Sequence, residues 1–72
     1  MADLKKYLTG KIKYWNPYKG YGFITCDGSG EDYFFHYTNQ ADPDDKLSPD
    51  VRVSFDEGLN RNGICAKNVE RL

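Results

Sequence analysis

Lys19-Gly20-Tyr21-Gly22-Phe23-Ile24 alternates small and aromatic residues along six positions. Side chains of an extended strand point to opposite faces in turn. Tyr21 and Phe23 therefore share one face, and Gly20, Gly22 and Ile24 share the other. Glycine inside a strand permits a sharp bend and the close approach of a second backbone. Ile24 and Cys26 carry the glycine side into a core, which leaves Tyr21 and Phe23 outside, just after Lys19. Beyond them, Asp27-Gly28-Ser29-Gly30 is a hairpin signal. Tyr33-Phe34-Phe35-His36-Tyr37 then has strong strand propensity. With Tyr33, Phe35 and Tyr37 on one face, Phe34 and His36 lie on the other, beside Phe23 across the hairpin.

The flanking segments read as strands too, because none shows a helical period over a helical length. A first strand is predicted from Leu8 to Asn16, ending at Asn16-Pro17, and a second from Tyr21 to Cys26. After the third, residues 38–49 form a polar, acidic loop broken by Pro43 and Pro49. Val51-Arg52-Val53-Ser54-Phe55 alternates cleanly as a fourth strand, with Phe55 in the core. Gly58 to Gly63 is a turn, and Ile64 to Val69 is the fifth strand. Cys65 falls on the opposite parity from Ile64 and Ala66, so one of these two faces is expected to be wet. Residues 1–7 are an N-terminal extension that either lengthens the first strand or frays, and residues 8–72 form the domain. Five short antiparallel strands with one long connection point to a small all-β barrel, whose closure removes exposed edges. Oligonucleotide-binding and SH3-like barrels both fit this periodicity.

At 72 residues the chain holds one domain and buries only about 60% of its unfolded surface. Two cysteines and one histidine offer neither a disulfide framework nor four zinc ligands, so no metal or cofactor is expected. No apolar run reaches membrane-spanning length, and Met1-Ala2-Asp3-Leu4-Lys5-Lys6 has no signal-peptide core, so the expected location is cytoplasmic. The net charge of −1 conceals an asymmetry: residues 1–20 carry five lysines against Asp3, whereas residues 21–57 carry nine acids against Lys46 and Arg52. Nine of the eleven aromatic residues fall between Tyr14 and Tyr37, more than one sheet face hides in a core this small. Exposed rings beside lysines make a stacking platform for unpaired bases. His36 has no nucleophile or orienting acid near it in sequence, which disfavours catalysis. Asp42, Asp44 and Asp45 lack the glycine and terminal glutamate of a calcium loop.

Lys11-Ile12-Lys13-Tyr14-Trp15-Asn16, Lys19-Gly20-Tyr21-Gly22-Phe23-Ile24 and Asp32-Tyr33-Phe34-Phe35-His36-Tyr37-Thr38 resemble the cold-shock domain. The last two match its two ribonucleoprotein motifs, and the likeness runs from about Gly10 to the end of the chain. The resemblance implies a five-stranded antiparallel Greek-key barrel of the oligonucleotide-binding type. It further implies binding of single-stranded RNA or DNA, as an RNA chaperone or a regulator of transcription or translation; a monomer is expected, and pyrimidine-rich strands are expected to bind better than duplex, which hides the base faces the rings need. By motif position the binding residues are Lys13, Tyr14, Lys19, Tyr21, Phe23, Phe34, His36 and Tyr37, with Trp15 and Asp32 as further candidates. An interaction barrel gripping a peptide through the same aromatic face is the alternative. The chain departs from the family pattern in the swapped pair Tyr14-Trp15, in Tyr33 and Phe35 flanking Phe34, and in an acidic long loop without an aromatic residue. Strict alternation from Ile12 puts Tyr14 inside and Trp15 outside, whereas the resemblance puts Tyr14 outside, which requires a bulge.

Overall fold

The structure, a computed structural model, describes residues 8–61 and 63–72. The N-terminal extension 1–7, with its choice between strand and frayed end, lies outside the described residues. Five strands, β1 (Leu8–Asn16), β2 (Tyr21–Cys26), β3 (Asp32–His36), β4 (Arg52–Asn60) and β5 (Gly63–Arg71), close into a barrel in the order β1-β2-β3-β5-β4. Four of its seams are antiparallel, and β3 meets β5 in parallel at Phe34 and Cys65. Parity requires this: strand directions cannot alternate all the way round a closed ring with an odd number of members. The long connection between β3 and β4 is what delivers β5 to the parallel seam. Among the described residues no helix is long and apolar enough to cross a membrane.

Burial follows the pleat in β2, where Gly22, Ile24 and Cys26 are buried while Tyr21, Phe23 and Thr25 are half-buried. In β3, Tyr33 and Phe35 enter the core and Phe34 and His36 face outward. Phe35 and Phe55 are the largest fully buried side chains, and Tyr33 packs on Phe55 with ring centroids 5.1 Å apart. Each such ring contributes about 1.5–3 kcal/mol through the surface it removes from water. The core thus accepts both enlarged third-strand rings.

The space for Phe35 comes from Gly22. Trp15, Gly22 and Phe35 lie side by side on β1, β2 and β3. The missing side chain lets the Trp15 and Phe35 rings stack across β2, 5.4 Å apart and 7° from parallel. A Cβ on Gly22 would strike the Tyr14 carbonyl oxygen and crowd both rings.

Several boundaries differ from the sequence reading. β3 ends at His36, and Tyr37–Asn39 forms a 3-10 turn capped reciprocally by His36 and Asn39. Tyr37 therefore leaves the core parity of Tyr33 and Phe35 and is exposed. β4 continues through Gly58 to Asn60 and β5 begins at Gly63, so both ends of the expected turn belong to the strands. β5 carries a bulge where Asn68, at φ 53°, leaves the extended region, and Val69 returns to the core. Cys65 is buried like its neighbour Ala66, so the wet face expected there is confined to the half-buried Ile64 side chain and the exposed Gly63.

Candidate nucleic-acid interface

A register shift between Ile12 and Tyr14 in the β1–β2 ladder reverses the parity of β1 at Lys13. Ile12 pairs with Ile24 inside, whereas Tyr14 pairs with Phe23 outside. This is the bulge that the swapped Tyr14-Trp15 pair calls for. Tyr14 is 43% exposed, and Trp15 turns inward onto Phe35 while staying half-buried.

Tyr14, Tyr21, Phe23 and Phe34 then form one continuous patch. Their ring centroids lie 5.8–6.4 Å apart, from Tyr21–Phe34 and Phe23–Phe34 at the short end to Tyr14–Phe23 at the long end. The antiparallel register sets Phe23 opposite Phe34 and Tyr21 opposite His36, which extends the patch toward the end of β3. His36 and Tyr37 continue it, 4.7 Å apart. The Thr38 amide donates to His36 Nδ1 at 3.4 Å, and the Thr38 hydroxyl lies 3.0 Å from the same nitrogen. An accepting Nδ1 places the ring proton on Nε2, so His36 offers a donor as well as a flat face. Three of the rings come from β1 and β2, and the hairpin to β3 brings the rest, so no single segment holds the site.

The charged candidates are arranged differently from the rings. Lys13 Nζ donates to Asp32 Oδ2 at 2.8 Å, and Thr25 Oγ1 donates to Asp32 Oδ1 at 2.9 Å. The Lys13 and Thr25 hydrogen bonds hold the Asp32 carboxyl below its ordinary value. Arg52 is held by Asp27, the residue that follows β2, through two contacts of 2.7 and 3.4 Å. Lys19 sits in the β1–β2 turn, where Asn16 Oδ1 accepts from the amides of Tyr18 and Lys19. Gly20 closes that turn at φ 74°, a left-handed conformation that glycine adopts without a Cβ penalty. The Tyr37 amide donates to the Gly20 carbonyl at 2.8 Å, which ties the turn to the end of β3.

The patch thus gathers Tyr14, Tyr21, Phe23, Phe34, His36 and Tyr37, with the Lys13–Asp32 pair on its flank. Trp15 and Lys19 lie apart from it, in the lining of a cleft beside Tyr37. Tyr18, which the sequence reading left unassigned, lines the same cleft and is 98% exposed. Its place between Pro17 and Lys19 in a tight turn is the signal that would have found it. Asn60 and Ile64, beside Phe23 and Phe34 in a second surface depression, carry no such signal, because the length of the β4–β5 hairpin is not evident from its residues.

Residues 8–72 match the sequence model of the "'Cold-shock' DNA-binding domain" family. The cold shock-like protein CspG of Shewanella violacea is 38% identical over 65 residues, covering 89% of this chain and 93% of that protein. The cold shock-like protein CspB of Bacillus cereus is 41% identical over 66 residues, covering 90% of this chain and 100% of that protein. Among solved structures, the Drosophila Unr CSD456 chain superposes on 94% of this chain with a TM-score of 0.79 at 24% identity. This chain spans 27% of that longer one, and the likeness is one of fold. With the family match extending over all five strands, the chain belongs to the cold-shock domain family.

Proposed function

We propose that this barrel binds single-stranded RNA or DNA by stacking unpaired bases on the Tyr14–Tyr21–Phe23–Phe34 patch and its continuation over His36 and Tyr37. The observation that carries the reading is the continuity of four outward rings across three strands, on a face whose reverse side is the core. Every base has a π-face, and a stacked base contributes about 1–3 kcal/mol. Rings at this spacing accept successive bases of one strand without reading their edges. Pyrimidine-rich strands suit the patch, since their bases unstack from one another most readily. The protein acts as a cytoplasmic monomer, as an RNA chaperone or a regulator of transcription or translation. The family to which the chain belongs supports binding over catalysis.

The test is a titration of a short labelled oligothymidine against the same sequence as duplex. Saturable binding of the single strand, with the duplex much weaker, is expected, because a duplex hides the faces that the rings require. A single strand that fails to bind, with saturable binding of a peptide that it does not displace, would reassign the aromatic face to protein recognition.

A further inference from the structure

β1 pairs with β4 from Lys11–Arg52 to Leu8–Phe55, yet β4 runs on to Asn60. In that overhang Glu57, Gly58 and Leu59 pair with Ala66, Cys65 and Ile64 of β5. Among the described residues no strand pairs with these three on the β1 side. The Ile12 amide donates to the Val51 carbonyl at 3.0 Å, and the Asp27 amide donates to the Thr9 carbonyl at 2.9 Å. Even-numbered residues of β1 thus turn their backbone groups to β4, and odd-numbered ones turn theirs to β2. Hydrogen-bonded pairs recur at every second residue of an antiparallel ladder. Carried along β4, this alternation turns the amides of Glu57 and Leu59 to the β1 side and the Gly58 amide to β5. Leu59 is 73% exposed, beside an Ile64 that is half-buried against the core. An edge of this kind is a template for one more strand.

Seven residues precede Leu8. The β1–β4 register, carried outward, sets Lys6 opposite Glu57, Lys5 opposite Gly58 and Leu4 opposite Leu59. Unlike charges then meet at Lys6–Glu57, and Leu4, Leu59 and Ile64 form an apolar row across three strands. Both kinds of cross-strand pair are stabilising. A slip of one residue would set Leu4 opposite Gly58 or Asn60 and turn it to the other face. A second copy offering its own β4 edge would instead bring Asp56 and Glu57 against the same two acids, a repulsive pairing.

We propose that residues 4–7 continue β1 as a strand docked on the β4 overhang, with Lys6 against Glu57 and Leu4 against Leu59. The docked strand completes the cover of β4 that barrel closure carries only to Phe55. It also holds from a third side the hairpin whose Asn60 and Ile64 flank Phe23 and Phe34.

The experiment is amide hydrogen exchange, followed residue by residue by NMR on the full chain and on two proline variants. In the proposed register the Lys6 amide donates to β4, whereas the Lys5 amide points away from it. Lys6→Pro removes a ladder donor, and Lys5→Pro places proline where an edge strand tolerates it. Glu57 and Leu59 should exchange about tenfold faster in Lys6→Pro than in the intact chain, the signature of a local opening. Lys5→Pro should leave both nearly as slow as in the intact chain. The Gly58 amide, bonded to β5, should stay protected in all three and so reports that the barrel is folded. Equal exchange of Glu57 and Leu59 in the intact chain and Lys6→Pro, fast or slow, overturns the docking. Equal loss of protection in Lys5→Pro and Lys6→Pro overturns the register. Protection that disappears on dilution assigns the edge to a second copy and overturns the proposal.

Discussion

Phe34 and Phe55 are both phenylalanines on strands, and the side each faces gives them opposite work. Phe34 faces outward among Tyr21 and Phe23, whereas Phe55 is 1% exposed beneath Tyr33. Phe34→Ala should weaken oligothymidine binding by about 1–3 kcal/mol with little change in the urea midpoint. Phe55→Ala should cost about 3–5 kcal/mol of stability, enough to exhaust a domain this small. An inverted result would place the binding face on the wrong side of the sheet. Lys13 and Asp32 pose a finer question, because motif position makes both binding residues while the structure pairs them with each other. The Asp32 carboxyl is held below its ordinary value of 3.8, so the pairing is fully present above that value. It is lost only as pH falls through the lowered one, which leaves the bridge intact across neutral pH. Both partners are exposed, so the pair adds little to stability. Its effect is on charge: Lys13 must leave a carboxylate before it meets a phosphate. Asp32→Asn should therefore steepen the plot of log K against log salt by about 0.7, the increment of one neutralised phosphate on a single strand. An unchanged slope would show that Lys13 is already free of Asp32 in the wild-type complex.

Strand pairing decides which of these side chains meet, and here Gly22 has a role that no side chain could take. Gly22→Ala places a methyl group against the Tyr14 carbonyl, 3.0 Å from the Trp15 ring and 3.1 Å from the Phe35 ring. The carbonyl belongs to the β1–β2 ladder and cannot retreat without loosening it. A loss of about 3 kcal/mol is expected, the upper part of the usual range for overpacking. Gly28→Ala is the control, since nothing lies within 4 Å of its added Cβ, and its effect should stay within about 0.5 kcal/mol. The two urea midpoints check the pair. The same elements show what the residues disclose before folding. Alternation along Tyr21–Cys26 and Tyr33–His36 sufficed to assign inner and outer rings, because both strands are regular and one face of each is buried. The bulge at Lys13 was legible only as a conflict between alternation and motif position, since no residue there is special to bulges. The Asn68 bulge, which returns Val69 to the core, is missed by parity for the same reason. Tyr37 leaves the alternating face because the reciprocal cap between His36 and Asn39 ends the strand one residue early, and alternation of apolar residues does not register such a local side-chain cap. Gly58 looked like a turn, yet it continues β4 because the partner strand supplies the ladder.

Over the whole molecule, charge and aromatic surface make opposite demands, and a salt series separates them. The net charge is −1, and nine acids between residues 21 and 57 oppose a polyanion at long range. Of the cations, Lys13 is engaged by Asp32 and Arg52 by Asp27. Lys19 and Lys11 have no ion-pair partner among the described residues, and Arg61 is exposed beyond the end of β4. Two or three neutralised phosphates give a slope of only about −1.5 to −2 for a single strand. Most of the affinity must then come from stacking, which salt does not screen, so binding should persist, weakened, well above physiological salt. Barrel closure reinforces this balance: it hides the sheet edges that would otherwise recruit partners through backbone hydrogen bonds and leaves the ring-bearing face as the adhesive surface. The check is the slope for one oligothymidine measured beside its duplex. A shallow slope with strong preference for the single strand assigns recognition to the rings. A slope near −5 with the duplex bound equally well would require many phosphate contacts, more than the unpaired lysines and Arg61 supply, and would move the interface off the aromatic patch.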